Sequence, residues 1–321
     1  MNAPIKFSAS LASLPTDAVV AAAVRAEELG YYSVTVSDHL DDQPAPLITL
    51  AAVAQATSSI RMLPLVLAND YRNPVVLAKE LATLDVLSNG RLEAGLGAGW
   101  MTTDYELSGI TLDSPGTRIA RLSESVDIIT SLLRGEAVDH DGEHYQLSGS
   151  MGAPHAVQNP IPIMLAGGKQ KMLTLAGSKA NIVGINPGLT AGVIDERAGR
   201  DATLERTDQK VEWVRSAAGD RFSEITLQTR IHLAMITDDR EGVANEMAPL
   251  LGITAEEALA SPHALVGSVE QCVETVLGWR ERWGITYVSI NAEQMDDFAP
   301  VIKALASVSY THLTLPTNRE V

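Results

Sequence analysis

Asp38 and His39 are adjacent polar side chains that directly follow a short apolar strand predicted over 32–36. A carboxylate accepts hydrogen bonds, and an imidazole gains and loses a proton near neutral pH. Side by side at the end of a strand, they could orient a bound molecule and transfer a proton to it. The alternative is structural, with Asp38 capping the next helix and His39 serving as a polar loop residue.

A glycine-rich stretch follows another predicted strand, over 91–96. Gly95, Gly97 and Gly99 alternate there with larger residues and remove side chains from the carboxyl end of the strand. Such a bare backbone allows either a flat ligand or a neighbouring protein segment to approach closely. The spacing alone leaves both interpretations open. It differs from the G-x-G-x-x-G fingerprint of dinucleotide-binding folds, and no helix clearly begins after it.

Gly167, Gly168 and Lys169 lie between a strand predicted over 161–165 and a helix predicted from residue 170. Amides without side chains, a helix N-terminus and a cation together make a good anion site. A plain strand–helix turn is the alternative interpretation. Lys171 and Lys179 lie close by in sequence, so this region would be locally basic.

His140 and His144 flank Asp141-Gly142, a predicted two-residue hairpin turn. Two histidines are too few for a typical zinc site, and no third ligand is evident, so we predict no metal site. Cys272 is the single cysteine and lies in a helix predicted over 269–282. We interpret it as a small core residue rather than a nucleophile.

Alternating short apolar strands and longer amphipathic helices position these groups. Strands are predicted over 5–9, 32–36, 60–67, 91–96, 161–165, 181–185, 225–235 and 287–290. Helices are predicted over 16–29, 46–57, 75–87, 117–133, 170–176, 204–218, 269–282 and 295–306. Eight strands, each followed by a helix, predict an α/β fold, the (β/α)8 TIM barrel, with a doubly wound open sheet as the alternative. Segments 101–116 and 138–156 exceed simple connections and are predicted insertions at the C-terminal face of the strands.

The overall composition narrows the class of partner. A net charge of −16 and a pI near 4.8 argue against nucleic acid or an anionic membrane. No apolar run reaches the roughly 20 residues that span a bilayer, and the N-terminus lacks a signal-peptide pattern. A single cysteine permits no internal disulfide, so we expect a cytoplasmic location.

The last stretch of the chain, 307–321, breaks the periodicity of the final predicted helix. Its sequence, SVSYTHLTLPTNREV, resembles the translated read-through of a sequencing adapter, and a native disordered tail is the alternative. No proline- or serine-rich linker divides the rest of the chain. We therefore predict one domain over 1–306 and a non-native tail over 307–321.

One long motif carries a family resemblance. Residues 78–91 read AKELATLDVLSNGR, and residues 95–100 read GLGAGW. This stretch resembles the luciferase-like flavin and deazaflavin oxidoreductases, whose usual pattern is AK-x-x-x-TLD-x-LS-x-GR followed by G-x-G-x-GW. The resemblance extends to about Ala306 and is nearest to the branch that uses the deazaflavin coenzyme F420.

The resemblance implies a role for each candidate residue. Asp38 would hydrogen-bond the cofactor ring, and His39 would lie at its reacting face. The ring would rest on a non-proline cis peptide near Leu65, Val66 and Leu67 and on the glycine stretch. The loop formed by Gly167, Gly168 and Lys169 would bind the cofactor phosphate, as it does in relatives. The residues expected to bind cofactor in the glycine stretch and in this loop are therefore Gly95, Gly97, Ala98, Gly99, Gly167, Gly168 and Lys169.

The implied function is hydride transfer between F420 and an organic small molecule, by a homodimer. Sugar-phosphate dehydrogenases of this family carry a glutamate proton donor where this chain has Trp100. Because an indole transfers no proton, Trp100 is expected to shape the substrate pocket, and that substrate class is in doubt. An FMN-dependent monooxygenase of the same fold is one alternative, and a non-catalytic flavin-binding barrel is another.

Overall fold

A nine-stranded parallel sheet organises the protein. The computed structural model describes residues 3–189, 191–193 and 195–311, with side chains as far as residue 307. The strands of the described residues, four of which (β6, β7, β11 and β12) lie outside this sheet, are β1 (Lys6–Ser10), β2 (Ser33–Val36), β3 (Arg61–Pro64), β4 (Leu67–Ala68), β5 (Ala94–Gly97), β6 (Ala137–Asp141), β7 (Gln146–Met151), β8 (Ile163–Gly167), β9 (Ile182–Ile185), β10 (Thr226–Arg230), β11 (Leu233–Ile236), β12 (Ala264–Gly267) and β13 (Ile285–Asn291).

The α-helices surround this sheet. They are α1 (Val19–Glu28), α2 (Pro46–Ala56), α3 (Pro74–Leu87), α4 (Thr102–Ser108), α5 (Pro115–Leu133), α6 (Gln170–Lys179), α7 (Glu196–Arg200), α8 (Leu204–Ala218), α9 (Arg240–Met247), α10 (Ala255–Ala260), α11 (Val269–Trp283) and α12 (Met295–Thr311). No helix among the described residues is long and apolar enough to cross a membrane.

The sheet closes into a barrel through one interrupted strand. Its strand order is β3-β2-β1-β13-β10-β9-β8-β5-β4, so β3 and β4 lie at its two ends. Both belong to the predicted third strand, which is broken by a cis peptide bond between Leu65 and Val66. Met62 of β3 also forms a parallel bridge with Leu92, just before β5. The predicted (β/α)8 barrel is therefore confirmed, and the open-sheet alternative is wrong.

The region after the seventh barrel strand departs from the prediction. The single strand expected over 225–235 is two strands, because the chain leaves the barrel after Arg230. β11 then pairs in parallel with β12, outside the barrel sheet. Residues 225–235 read ITLQTRIHLAM, and the alternation of apolar and polar residues continues past Arg230, so it gave no sign of this break. The insertion carrying β11, α9, α10 and β12 adds a wall at the C-terminal end of the barrel.

The insertion between the fourth and fifth barrel strands contains α4, α5 and the β6–β7 hairpin. The predicted two-residue turn at Asp141-Gly142 is wrong, because the connection spans residues 142–145 and Gly142 N–H donates to the Tyr145 carbonyl at 2.9 Å. His140 Nε2 lies 3.1 Å from Glu124 Oε2 on α5. Among the described residues, no three His, Cys, Asp or Glu side chains come together as a metal site.

The interior of the barrel is packed with side chains toward its N-terminal end, where a cavity of about 330 Å³ remains beside Glu93. Leu63, Met164, Ile182 and Tyr287 pack together inside the barrel. At its base, the buried carboxylate of Glu93 accepts hydrogen bonds from the hydroxyls of Tyr32 at 2.8 Å and Tyr287 at 2.9 Å. These polar groups satisfy one another within the base.

The motif at residues 78–91 is structural. The fully buried Asp85 accepts hydrogen bonds from Val157 N–H at 2.8 Å, Gln158 N–H at 2.9 Å and Gln158 Nε2 at 2.7 Å. Arg91 donates to the carbonyls of Ala54, Thr57, Ile60 and Ser88. Together they fasten α2, α3 and the segment that enters β8 to one another.

Two further predictions concern Cys272 and the end of the last helix. Cys272 is fully buried in α11, as expected for a core residue, and burial raises the pKa of its thiol to about 11. α12 extends to Thr311, so the boundary predicted after Ala306 falls within a helix. The non-native origin of 307–321 stays a prediction, and residues 312–321 lie outside the described part of the chain.

Asp85 provides a test of how the motif stabilises the fold. We expect Asp85→Ala to lower the free energy of unfolding by about 2–4 kcal/mol, because three donors lose a buried charged acceptor. The matched control is Asp127→Ala, which removes an exposed ion pair with Lys179 and should cost less than about 1 kcal/mol. Urea unfolding of both variants measures the difference, and equal losses would contradict the assignment.

Candidate active site

A cavity of about 810 Å³ opens at the C-terminal ends of the barrel strands. It collects most of the residues that the sequence singles out. Those on its wall are Asp38, His39, Leu65, Val66, Gly97, Ala98, Gly99, Trp100, Gly167, Gly168 and Lys169. Leu67 and Gly95 do not line it, because Leu67 is fully buried in the core and Gly95 faces the backbone of β3 at Pro64.

Asp38 is held by neighbouring protein groups. Its two carboxylate oxygens receive the guanidinium of Arg72, at 2.5 and 3.0 Å, and one of them also accepts Ala68 N–H at 2.9 Å. The carboxylate therefore ties the end of β2 to the segment that follows the cis peptide bond. In this structure Asp38 positions the wall of the cavity, in addition to lining it.

The Leu65–Val66 peptide forms a bulge on the cavity wall, within the 65–67 segment expected from the family resemblance. Leu65 N–H donates to the Val36 carbonyl at 2.9 Å, which continues the pairing with β2. On the other side, Val66 packs against Gly97 of β5. A Cβ atom on Gly97 would lie 2.5 Å from Val66 Cγ2, so only glycine leaves room for this valine.

The same packing explains the other glycines of the stretch. A Cβ atom on Gly95 would strike the Pro64 carbonyl oxygen, and one on Gly99 would strike the Tyr105 hydroxyl. Gly99 also has a φ of +71°, which disfavours other residues. Of the two interpretations, close protein packing accounts for the missing side chains. Gly97, Ala98 and Gly99 still present their backbone to the cavity.

His39 is oriented by a carboxylate that the sequence did not identify. Its Nδ1 lies 2.7 Å from Asp104 Oδ2, and Asp104 Oδ1 accepts Leu40 N–H at 3.1 Å. Because an ionised carboxylate only accepts hydrogen bonds, Nδ1 donates, and the neutral ring keeps its lone pair on Nε2. The ring packs at 89° against that of Trp100, with centroids 5.7 Å apart. This arrangement suits a proton acceptor or donor.

A cluster of cations lies at the Gly167-Gly168 end of the cavity. Asp201 receives Lys169 at 3.0 Å, Arg206 at 2.9 Å and the fully buried Lys210 at 2.9 Å. Burial opposes ionisation of Asp201, but Lys210, Lys169 and the Gly188 N–H outweigh it and hold the pKa of Asp201 at about 2. Burial lowers the pKa of Lys210 to about 8, against the attraction of Asp201. The cluster as a whole is positive, and Lys169 is its member on the cavity wall.

The expected basic patch is narrower than the sequence suggested. Lys179 pairs with Asp127 at 2.5 Å, and Lys171 donates to the Gly116 carbonyl at 3.3 Å. Neither residue lines the cavity. Gly168 instead packs on the backbone of Pro187 and Gly188, and a Cβ atom there would overlap both. Its missing side chain thus allows the two loops to meet below the N-terminus of α6.

The fold and the cavity together define a class of protein: a (β/α)8 barrel with a ligand site at the C-terminal ends of its strands, walled by a non-proline cis bulge. The sequence model of the luciferase-like monooxygenase family matches residues 2–287. The chain belongs to the luciferase-like monooxygenase family.

Two curated relatives are similar over part of the chain. The F420-dependent glucose-6-phosphate dehydrogenase of Amycolatopsis mediterranei (strain U-32) is 33% identical over 181 residues, which cover 54% of each protein. The enzyme of the same name from Kribbella flavida is 34% identical over 185 residues, 55% of each. The chain spans about half the length of the curated relatives it matches.

Solved structures share the whole fold at low identity. An F420-dependent secondary alcohol dehydrogenase, in complex with an F420-acetone adduct, superimposes with a TM-score of 0.75 at 18% identity and covers 94% of this chain and 99% of that one. Monooxygenase RslO1 from Streptomyces bottropensis gives 0.73 at 21% identity, over 97% and 100% of the two chains. At such identities the likeness concerns the fold.

Proposed function

We propose that this protein is an oxidoreductase that moves a hydride between coenzyme F420 and an organic substrate. The observation that carries the proposal is that one cavity collects His39 with its Asp104 partner, the Leu65–Val66 bulge and a positive anion-binding end. Names of curated relatives that match about half of the chain support F420 as the cofactor.

The described residues fit a phosphorylated ring cofactor. The bulge and the backbone of Gly97 to Gly99 would support the ring, and Lys169 and the α6 N-terminus would hold a phosphate. Asn186 Oδ1 is buried without a hydrogen-bond partner among the described residues and lies on the cavity wall. A hydroxyl group of the bound cofactor would satisfy it.

FMN, the cofactor of the alternative monooxygenase function, also carries a ring and a phosphate, so this fit alone does not exclude it. Monooxygenases are among the structures that share the fold, such as EDTA monooxygenase from Chelativorans sp. BNC1, at a TM-score of 0.73 and 15% identity. The adjacent Asp38 and His39 and the relatives' names favour the deazaflavin. A barrel that binds a flavin without turnover would retain the cavity but need no oriented proton-transfer group.

F420, when bound, supplies a carbon centre that accepts or donates a hydride. The protein supplies the proton route: His39 Nε2 would exchange a proton with the substrate while Asp104 fixes the ring and stabilises its protonated form. Trp100 occupies the place of the family's glutamate and packs against His39, so it restricts how the substrate meets the imidazole. We do not propose a sugar phosphate as the substrate, because the motif of this chain has Trp100 in place of that glutamate.

Cofactor choice is the first test. We expect F420 to bind at least ten-fold more tightly than FMN, a difference of about 1.4 kcal/mol. Quenching of intrinsic fluorescence, titrated with each cofactor under the same ionic conditions, measures both dissociation constants. Lys169→Gln should weaken binding of either cofactor, since both phosphates would use the same end of the cavity. Tighter binding of FMN would contradict the proposal and favour the monooxygenase.

The second test separates binding from proton transfer. We expect His39→Ala and Asp104→Asn to lower kcat by about 10²-fold or more while the F420 dissociation constant stays within a few-fold, because the pair acts on a proton. Glu106→Gln is the matched control, since Glu106 lies on the same short helix but is exposed. The assay follows loss of oxidised F420 absorbance with a panel of alcohols. Unchanged turnover in both variants would contradict the assigned role.

We also propose that the protein is a homodimer. Ile48 on α2 and Val76, Val86 and Leu87 on α3 are exposed apolar side chains on two helices that pack together. A patch of this kind fits a second copy of the chain. Sedimentation velocity should show a dimer that Ile48→Lys dissociates, whereas Leu107→Lys, an exposed position on α4, leaves it intact. A monomeric wild type at micromolar concentration would refute the dimer.

A further inference from the structure

Arg230 is a cavity-lining cation without a carboxylate partner. It ends β10, and its guanidinium donates to Asn291 Oδ1 and, at 3.4 Å, to Ser289 Oγ. Among the described residues, no carboxylate lies within ion-pair distance of it. Burial lowers the pKa of Arg230 to about 10, against the attraction of Glu293 beyond ion-pair distance, so the guanidinium remains charged at neutral pH. A cation in such a place is costly unless an anion pairs with it.

His263 lies against Arg230 and has a free acceptor. Its Nδ1 lies 2.9 Å from the Arg230 carbonyl oxygen and 3.2 Å from Thr229 Oγ1. Because the carbonyl only accepts, Nδ1 donates and Nε2 carries the lone pair. The His263 residue lines the cavity but is only 4% exposed. Its Nε2 is buried and has no hydrogen-bond partner among the described residues. A ligand with a hydrogen-bond donor would satisfy it.

His232 completes the cluster without adding charge. Its ring centroid lies 5.7 Å from that of His263, and it also lines the cavity. Burial and the neighbouring Arg230 lower the pKa of His232 to about 4, and burial with the neighbouring His232 lowers that of His263 to about 3. Both imidazoles are therefore neutral at neutral pH. The cluster carries a single positive charge, which matches a monoanion better than a phosphate dianion.

The barrel order places this cluster across the cavity from the bulge. β10 and β13, which end in Arg230 and Asn291, are neighbours on the arc that runs from β9 to β1. The bulge and β5 belong to the opposite arc, between β2 and β8. A ring resting on the bulge would thus have its other face toward Arg230. That is the side from which a substrate would approach.

We propose that Arg230, His232 and His263 form the substrate subsite, and that the substrate is a monocarboxylate with a hydroxyl group near its carboxylate. The carboxylate pairs with Arg230 in the two-pronged geometry of a guanidinium, and the hydroxyl donates to His263 Nε2. The inference deepens the proposed function, since it assumes that the ring occupies the opposite wall. It assigns the substrate class that the relatives' names leave open.

Mandelate is a suitable probe, because its phenyl group suits a largely apolar cavity and it carries both recognised groups. Isothermal titration calorimetry with the full chain, with and without F420, should show mandelate binding at least ten-fold more tightly than its neutral amide. Arg230→Gln should remove that preference. Arg200→Gln, an exposed arginine on α7 near the cavity, is the matched control for the change in net charge and should bind as wild type does.

Phenylacetate lacks the hydroxyl and should bind more weakly than mandelate to the wild type. His263→Phe should abolish that difference, and if this variant does not fold, the wild-type comparison alone still tests the hydroxyl contact.

Four results would overturn the proposal: no binding of mandelate, equal binding of its amide, tighter binding of phenyl phosphate, or loss of F420 affinity in Arg230→Gln. Mandelate binding that depends on Arg230 in a protein that does not bind F420 would uphold the subsite and refute the proposed function.

Discussion

The contact between Val66 and Gly97 is the constraint on which the cavity depends. The barrel closes through a strand that is broken at Leu65–Val66, and the displaced valine occupies the space that a side chain at position 97 would fill. Asp38 and Arg72 fasten the far side of the bulge to β2. One wall of the cavity is thus fixed by packing on β5 and by an ion pair. The proposed position of the cofactor ring depends on that wall, and so do the proposed contacts to the ring and the substrate.

The sequence predicted those features that depend on near neighbours along the chain. Eight strands, the Asp38-His39 pair and the glycine stretch follow from local patterns, and each predicted strand contributes to the barrel, the seventh only as far as Arg230. Residues that act by tertiary contact were missed: Asp104 meets His39 across 65 positions of the chain, and Asp201 meets Lys169 across the sixth strand. Asp104 was visible as an acid near the glycine stretch, but no spacing rule connects it to a histidine on another strand.

Charge is distributed unevenly in this acidic protein. The chain carries a net charge of −16, yet a positive cluster lies below α6, and Arg118 and Arg230 line the cavity without an ion pair among the described residues. Anions are repelled by the protein as a whole and attracted at these points within it. We assign the cluster below α6 to a cofactor phosphate and Arg230 to the substrate.

The most direct test of the central claim is a double-mutant cycle on F420 affinity. Gly97→Ala places a Cβ atom 2.5 Å from Val66 Cγ2 and should weaken F420 binding at least ten-fold, about 1.4 kcal/mol, by displacing the bulge. Val66→Ala removes that methyl group, so the double variant should bind F420 more tightly than Gly97→Ala alone. Wild-type affinity in Gly97→Ala, or a double variant no better than that single one, would contradict the account.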